Sequence, residues 1–162
     1  MSLVTRLTPK GPNGLGASTS SEEVMANIDL TGKTYLVTGP SSGIGKETVR
    51  CLANAGARVV AAGRDEERIK HATAEFSGDI EPTTLDLSKV RSIKGFLEKY
   101  SSLSLDGIVA NAGIMALPQL QTYHGYEAQF FTNHIGHYLL ITRLLRQLSP
   151  DARIALVSSK MH

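Results

Sequence analysis

The feature that most constrains this 162-residue chain is a short apolar strand that runs directly into a cluster of glycines. Residues 35–38 form a β-branched and aromatic run that is typical of a buried strand. Gly39, Gly43 and Gly45 follow at once, and helical spacing continues from Lys46. A strand, a glycine turn and a helix in this order predict an anion site, because the first N–H groups of a helix lack partners and carry partial positive charge.

The spacing of these glycines differs from the usual dinucleotide fingerprint. That fingerprint reads G-x-G-x-x-G after a first strand, whereas this chain has G-x-x-x-G-x-G. We expect Gly39 to permit the sharp turn, and Gly43 and Gly45 to let phosphates and the strand approach the backbone closely. A purely structural turn is the alternative that the glycines alone leave open.

The rest of the chain alternates between strand-like and helical segments. After a helix predicted over residues 46–55, strand-like runs occupy 58–62, 80–84, 105–110 and 153–158, and helical patterns occupy 65–76, 88–100 and 123–148. We expect Ser88 to cap the helix at 88–100 and Pro150 to stop the last helix. The alternation predicts an α/β fold, a Rossmann-type doubly wound parallel sheet of about five strands in the order 3-2-1-4-5, with helices on both faces.

Composition favours one globular domain at residues 20–162, preceded by a flexible leader at 1–19 that is rich in glycine and proline. Ser20 and Glu23 predict a capping box for a short helix at 20–27, lying over the sheet edge or on the surface.

A net charge of +2 gives no argument for a nucleic-acid partner. No apolar run could span a bilayer, and the leader lacks the apolar stretch of a secretory signal. The single cysteine fits a reducing compartment, so we expect a cytoplasmic protein.

The strand ends carry candidate chemistry. Arg64 follows the second strand, at the tip that faces the adenosine ribose in this fold, and an arginine there can pair with a 2′-phosphate. Arg64 therefore favours NADP over NAD, with a solvated arginine paired to a neighbouring carboxylate as the alternative.

His134 and His137 lie three residues apart, but no H-E-x-x-H motif or third ligand accompanies them, so we predict no metal site.

Several motifs resemble those of the short-chain dehydrogenases/reductases. The sequence T-G-P-S-S-G-I-G at 38–45 is similar to the family turn T-G-x-x-x-G-I-G, and A-N-A-G at 110–113, N-H-I-G at 133–136 and V-S-S at 157–159 follow in the family order. The match runs from about residue 30 to residue 162. The G-Y-E at 125–127, followed by N-H, is most similar to the retinol-dehydrogenase and WW-domain-oxidoreductase branch.

The resemblance implies a nicotinamide cofactor and assigns residues to it. The residues implied to bind the cofactor are Gly39, Ser41, Ser42, Gly43, Ile44, Gly45, Arg64, Asp86, Leu87, Asn111, Ala112 and Gly113. Asp86 would contact the adenine amino group, although a helix-capping role is equally open; Ala110 replaces the first asparagine of the family's N-N-A-G. By the same resemblance, Asn133 would hold a water and the catalytic lysine in a proton relay. Ser159 would donate a hydrogen bond to the developing oxyanion of the substrate.

The family's catalytic Tyr-x-x-x-Lys pair is absent, since none of the five tyrosines has a lysine four residues on. General acid–base catalysis contributes typically about 10²–10⁴-fold, so we expect the chain alone to be almost inert as a redox catalyst. We expect the N-terminal, cofactor-binding part of an NADP-dependent oxidoreductase that interconverts a lipophilic alcohol and its carbonyl, truncated before that motif.

In this interpretation the C-terminal strands of the family are missing, and residues 154–157 form an exposed apolar edge. The alternatives are a non-catalytic dinucleotide- or partner-binding module, and an unstable truncated product. The oligomeric state stays open.

Overall fold

The computed structural model describes residues 11–16 and 18–158. In chain order its strands are β1 (Thr34–Thr38), β2 (Arg58–Gly63), β3 (Asp79–Thr84), β4 (Leu105–Ala110), β5 (Thr122–Tyr123), β6 (Tyr126–Glu127) and β7 (Leu148–Leu156). A five-stranded parallel sheet has the order β3-β2-β1-β4-β7, and β5 pairs with β6 as a separate antiparallel hairpin. The predicted order 3-2-1-4-5 is confirmed, because the hairpin strands stand outside the parallel sheet.

Helices cover both faces of this sheet. In chain order the α-helices of the described residues are α1 (Ser21–Met25), α2 (Gly43–Asn54), α3 (Glu66–Thr73), α4 (Val90–Lys99), α5 (Ala128–Phe130) and α6 (Gly136–Leu144), and the two faces are covered by α2 and α3 on one side and by α4 and α6 on the other. Successive strand side chains point to opposite faces, so Val37 packs with α2 and α3 while Leu36 packs with α4 and α6. The α/β fold predicted from the alternating pattern is therefore confirmed.

The second strand shows why the sequence folds this way. Val59, Val60, Ala61 and Ala62 are all completely buried. A strand in the middle of a parallel sheet is covered on both faces, so it needs an unbroken apolar run instead of an alternating one. Burying each valine side chain contributes about 1.5–3 kcal/mol, which makes this run a main source of the fold's stability.

The single helix predicted over residues 123–148 is wrong at its start. A hairpin, β5 and β6, occupies the first part, and its turn places His124 and Gly125 at φ 53° and 83°. Glu127 then begins α5 by accepting hydrogen bonds from the N–H groups of Gln129 and Phe130. Left-handed backbone at two successive residues is incompatible with a helix.

The helix is also interrupted and ends in a different way from the prediction. A π-helical turn, Phe131–Ile135, joins α5 to α6, and a 3₁₀ turn, Leu145–Gln147, leads directly into β7. Pro150 lies inside β7 and does not stop the helix. It falls where the pairing of β4 with β7 shifts register, and a proline is tolerated there because no ladder N–H is required.

Three smaller expectations have mixed outcomes. The capping box of Ser20 and Glu23 is confirmed. Helix α1 packs on α2 and not over the sheet edge, because Ser21 donates to Glu47 of that helix. Ser88 does not cap α4; its N–H and hydroxyl donate to Asp86.

Two predicted segments fall partly or wholly beyond the structure. Of the predicted leader, residues 1–10 and 17 lie outside the described part of the chain, as do residues 159–162. A cytoplasmic location stays a prediction. In the part that is described, no helix combines the length and the apolar character needed to cross a membrane.

Strand β7 forms one edge of the sheet and carries apolar side chains into solvent. Ile154, Leu156 and Val157 are 36%, 68% and 46% exposed. The expected exposure of this edge is confirmed, and an edge of this kind is a template for pairing with another strand.

Candidate nucleotide-binding site

A cleft of about 430 Å³ opens at the carboxyl ends of the parallel strands. Its walls come from the segments that follow β1, β2, β3, β4 and β7 and from the π turn. The lining residues are Gly39, Ser41, Ser42, Ile44, Gly63, Arg64, Asp65, Arg68, Ile69, Leu85, Leu87, Asn111, Ala112, Gly113, Ile114, Thr132 and Val157. Strands β2 and β3 are added on one side of β1, whereas β4 and β7 are added on the other side, so the order of the sheet switches between β1 and its neighbour β4. Ligands of open α/β sheets bind at such a switch point.

The glycine turn is shaped by close backbone packing. A Cβ on Gly39, whose φ is 69°, would lie 2.8 Å from the Cα of Ala112. A Cβ on Gly45 would fall within 3.0 Å of the Gly39 carbonyl and of the Asn111 amide. Gly43 has a φ of 53° but faces open space. Gly39 therefore lets the turn approach the residues that follow β4, and Gly45 lets α2 approach Gly39 and Asn111. Gly43 is favoured because its backbone is left-handed.

The first turn of α2 presents uncapped amides to the cleft. Ser42 occupies the N-cap position with extended backbone, and its side chain makes no capping hydrogen bond. Ser41, Ser42 and Ile44 line the cleft beside these amides. Because the N-terminus of a twelve-residue helix carries partial positive charge, this corner suits an anion such as a diphosphate.

Asn111 ties the end of β4 to the glycine turn. Its amide nitrogen donates to the carbonyls of Thr38 at 3.0 Å and Gly39 at 3.2 Å. The hydroxyl oxygen of Thr38 accepts in return from the backbone N–H groups of Asn111 and Ala112, both at 3.0 Å. The two strand ends that flank the switch point are thereby held in one geometry.

Two guanidinium groups lie at the end of the cleft next to β2. Arg64 and Arg68 both line it. The nearby acidic residues are engaged elsewhere: Asp65 caps α3 by accepting from the N–H of Arg68, while Glu66 and Glu67 pair with Lys70. Within the described residues neither arginine forms an ion pair, so the alternative of an Arg64 neutralised by its neighbours is not what the structure shows.

Asp86 lies outside the cleft, in an adjoining hollow that it shares with Arg64. One carboxylate oxygen accepts from Ser88, and the other pairs with Lys89 at 3.1 Å. Partial burial alone would raise the pKa of Asp86, but the bonds from Ser88 and Lys89 hold it below its usual value. The carboxylate thus organises the turn before α4, which is close to the capping alternative.

Asn133 sits in the π turn and fixes the loop after β4. Its side-chain oxygen accepts from the N–H of Ile114, and its side-chain nitrogen donates to the carbonyl of the same residue, both at 2.8 Å. The Asn133 backbone carbonyl lies 2.9 Å from Nδ1 of His137. A π turn is a frequent device at functional sites, since it displaces a helical residue from its regular position.

His137 lies in the first turn of α6 and is buried against the end of β1. Its Nε2 lies 2.9 Å from the hydroxyl of Thr38. Burial lowers the pKa of His137, although the contact with the Asn133 carbonyl opposes the shift. The ring of His134 stacks instead on Phe130, with 5.3 Å between ring centroids.

The structure brings most of the predicted cofactor residues together. Gly39, Ser41, Ser42, Ile44, Arg64, Leu87, Asn111, Ala112 and Gly113 line the cleft. Gly43 and Gly45 shape its backbone, Asp86 lies next to it, and Asn133 acts on it through Ile114. Ser159 lies outside the described residues, two positions beyond the lining residue Val157.

Sequence reasoning missed three polar contributors. Arg68 lies in the first turn of α3, four residues after Arg64, and a basic side chain at the start of the predicted helix could have revealed it. Thr132 lines the cleft, and its buried hydroxyl has no hydrogen-bond partner among the described residues. The contact of His137 with Thr38 joins residues 99 positions apart and leaves no local signal in the sequence.

The parallel sheet, the glycine turn and the open cleft together define a Rossmann-type α/β fold, an architecture that is typical of nucleotide-binding proteins. A sequence model described as short chain dehydrogenase matches residues 33–161. The chain therefore belongs to the short-chain dehydrogenase/reductase family.

Curated relatives support the same family and its retinol-dehydrogenase and WW-domain-oxidoreductase branch. The chain is 45% identical over 142 residues to a protein described as "Probable oxidoreductase" from Streptomyces lividans, covering 83% of this chain and 48% of that protein. It is 39% identical to retinol dehydrogenase 12 of Mus musculus (84% and 46% covered) and 36% identical to the WW domain-containing oxidoreductase of Danio rerio (93% and 39%). The chain spans about half the length of the first two relatives and less of the third.

Solved structures share the fold. An uncharacterized protein from Mycobacterium paratuberculosis superimposes with a TM-score of 0.76 at 36% identity, covering 84% of this chain and 50% of that one. The RhlG complex of Pseudomonas aeruginosa, which contains NADP, gives 0.65 at 31% identity (78% and 54% covered). A 3-ketoacyl-(acyl-carrier-protein) reductase from Brucella melitensis complexed with NADH gives 0.60 at 28% (74% and 51%). Family membership implies a nicotinamide dinucleotide but does not decide between NADP and NAD.

Proposed function

We propose that this chain is the NADP-binding part of a short-chain oxidoreductase that interconverts an alcohol and a carbonyl. The observation that carries the cofactor assignment is the pair of unneutralised guanidiniums, Arg64 and Arg68, at the end of the cleft next to β2. Arginine binds phosphate bidentately and keeps its charge, so two such groups favour a 2′-phosphate over a bare ribose hydroxyl.

The remaining wall of the cleft fits the other parts of a dinucleotide. The uncapped N-terminus of α2 would hold the diphosphate, and Leu87 would pack against the adenine. At the opposite end, Ala112 and Gly113 leave room for the nicotinamide ribose. The buried hydroxyl of Thr132, which lacks a partner among the described residues, is placed to bind a polar group of the cofactor.

The bound cofactor supplies hydride transfer, and the chain supplies position and hydrogen bonds. We assign Asn133 to hold the loop at Ile114 and, with a water and the catalytic lysine, to take part in a proton relay. We assign Ser159 to donate to the substrate oxygen. The chain has no Tyr-x-x-x-Lys pair, so by itself it should lack acid–base catalysis. The retinol dehydrogenase among its relatives favours a lipophilic alcohol as substrate of the whole enzyme.

Titration of the purified chain with NADPH and NADH, followed by nicotinamide fluorescence, tests the cofactor assignment. We expect tighter binding of NADPH. Arg64→Ala should weaken NADPH binding by about 1.5–3 kcal/mol, the value of a hydrogen bond to a charged group, and leave NADH binding almost unchanged. Arg91→Ala, which removes a basic residue outside the cleft lining, is the matched control. An equal loss for both cofactors in Arg64→Ala would refute the phosphate role.

A non-catalytic dinucleotide- or partner-binding module is the second candidate, because the cleft by itself explains cofactor binding without explaining acid–base catalysis. Both candidates predict NADPH binding. Alcohol oxidation regained when a C-terminal half carrying the Tyr-x-x-x-Lys pair is added would support the enzyme; binding of the two halves without turnover would support the module.

A further inference from the structure

We propose that His137 is a positioning residue for the dinucleotide: as a neutral imidazole protonated on Nδ1, it clamps the Asn133 carbonyl to the Thr38 hydroxyl and so fixes the nicotinamide end of the cleft. The inference rests on the proposed function, because the cofactor is what the clamp positions. It concerns a residue outside the cleft lining.

The clamp joins three segments that sequence keeps far apart. Thr38 ends β1, Asn111 and Ala112 follow β4, and Asn133 lies in the π turn. His137 is 4% exposed and touches the first and last of these through its two ring nitrogens, both at 2.9 Å. Asn111, Ala112 and the loop residue Ile114, which Asn133 holds, all line the cleft.

The hydrogen-bond inventory fixes where each proton lies. The Thr38 oxygen accepts from the N–H groups of Asn111 and Ala112, which occupies both of its lone pairs. Its own proton must therefore go to an acceptor, and Nε2 of His137 at 2.9 Å is nearer than the Val109 carbonyl at 3.5 Å. Nε2 therefore carries no proton.

The other ring nitrogen follows by the same reasoning. Nδ1 of His137 faces the Asn133 carbonyl, which can only accept, so the ring proton is on Nδ1. A doubly protonated ring would point an N–H at a Thr38 oxygen that has no lone pair left. Both ring nitrogens of the neutral form are satisfied, as a buried imidazole requires.

The proton assignment has a consequence for binding. If the ring is removed, the Thr38 hydroxyl loses its nearer acceptor and keeps only the Val109 carbonyl at 3.5 Å, while the Asn133 carbonyl loses a donor. The β1 end and the π turn are then no longer tied. Adenosine-end contacts through Arg64 and Arg68 involve none of these groups. The clamp should therefore affect the nicotinamide half of the cofactor much more than the adenosine half.

Nitrogen-15 NMR of histidine side chains in the wild-type chain tests the proton assignment without any cofactor. We expect His137 to show a protonated Nδ1 and an unprotonated Nε2 at pH 7, with Nδ1 protected from exchange. A proton on Nε2, alone or together with one on Nδ1, would overturn the clamp. This measurement decides the matter even if substitutions at His137 prevent folding.

Binding of two probes to His137→Phe tests the positioning role. NADPH spans the whole cleft, whereas 2′,5′-ADP occupies only the adenosine half. We expect the Kd for NADPH to rise about tenfold, as loss of buried hydrogen bonds suggests, and the Kd for 2′,5′-ADP to change by less than about twofold. Equal weakening of both probes would mean a general structural role and would refute positioning.

Matched variants complete the design. His134→Phe makes the same change at the exposed neighbouring histidine and should leave both Kd values unchanged. Thr38→Ser keeps the hydroxyl and should bind NADPH like the wild type. Thr38→Val removes the hydroxyl and should weaken NADPH at least as much as His137→Phe does. Equal NADPH affinity of Thr38→Ser and Thr38→Val would count against the clamp. Should the wild type bind neither probe, the proposed function fails, and the NMR result still decides the proton arrangement.

Discussion

Substitution of Gly45 by alanine tests the turn on which the cleft is built. The new methyl would lie 3.0 Å from the carbonyl carbon of Gly39 and closer still to its oxygen and to the amide nitrogen of Asn111. Ordinary contact begins at 3.4 Å, and the obstructing carbonyl is backbone, so no side-chain rotation relieves the clash. The helix must instead move away from the strand end.

The expected cost follows from this geometry. Overpacking of a tight site costs about 1–3 kcal/mol, and Gly45 is a helical position where alanine would otherwise be favoured. We therefore expect the free energy of unfolding to fall by about 1–3 kcal/mol. Because the same movement displaces the first-turn amides of α2, NADPH affinity should fall at least about tenfold, which corresponds to 1.4 kcal/mol.

Gly95 provides a matched control within the same chain. It lies in the middle of α4, and a Cβ there would meet nothing within 4 Å. Gly95→Ala should stabilise the protein by about 0.5–1 kcal/mol through helix propensity and leave NADPH binding unchanged. Urea unfolding monitored by circular dichroism, with fluorescence titration of NADPH, measures both quantities.

The two alanine variants must therefore change stability in opposite directions. A Gly45→Ala protein that gains stability as Gly95→Ala does, and that keeps its NADPH affinity, would show that the turn has room for a side chain. Close backbone packing at the glycine turn would then be refuted.

Two further predictions concern polar side chains outside the cleft. Asp106 accepts from the N–H of Thr34 at 2.9 Å and is largely shielded, so Asp106→Ala should lower the free energy of unfolding by about 1–3 kcal/mol in urea at pH 7. Asp79→Ala, at an exposed strand start, should stay within about 0.5 kcal/mol, and similar losses in both variants would contradict the reasoning. Arg50 lowers the pKa of Glu47 to about 2, from 4.5. The folded-state pKa is the lower one, so this stabilisation is present above pH 4.5 and is lost as the pH falls towards 2. Glu47→Gln should lower Tm at pH 6 with a difference that disappears near pH 2, whereas a constant difference would exclude the linkage.

Local sequence patterns were enough to predict most of the fold. The run at 58–62 is apolar at successive positions, which is the mark of a doubly covered strand, and the glycines at 39, 43 and 45 sit where the turn needs them. The segment at 123–148 misled because helical spacing persists through a hairpin. The turn at His124 and Gly125 depends on left-handed backbone, which spacing does not encode.

The site residues likewise fall into a group that the sequence predicts and a group that it does not. Residues next to strand ends could be found from the sequence, since parallel strands bring their carboxyl ends to one edge. The engagement of Asp86 with Ser88, and the clamp of His137 on Thr38, depend on how side chains orient after the elements pack. Arg68 was within reach of the sequence, because the helix predicted from residue 65 places it in the first turn, close to Arg64.

The π turn at Phe131–Ile135 also acts as an angular offset within a continuous helix. Each residue of an α-helix advances the chain by about 100° around the axis. A deletion of one residue here would leave a regular helix, yet it would rotate either Asn133 away from Ile114 or Leu140 away from the core. At this position the number of residues, as much as their identity, is what aligns one helix with both the loop and the sheet.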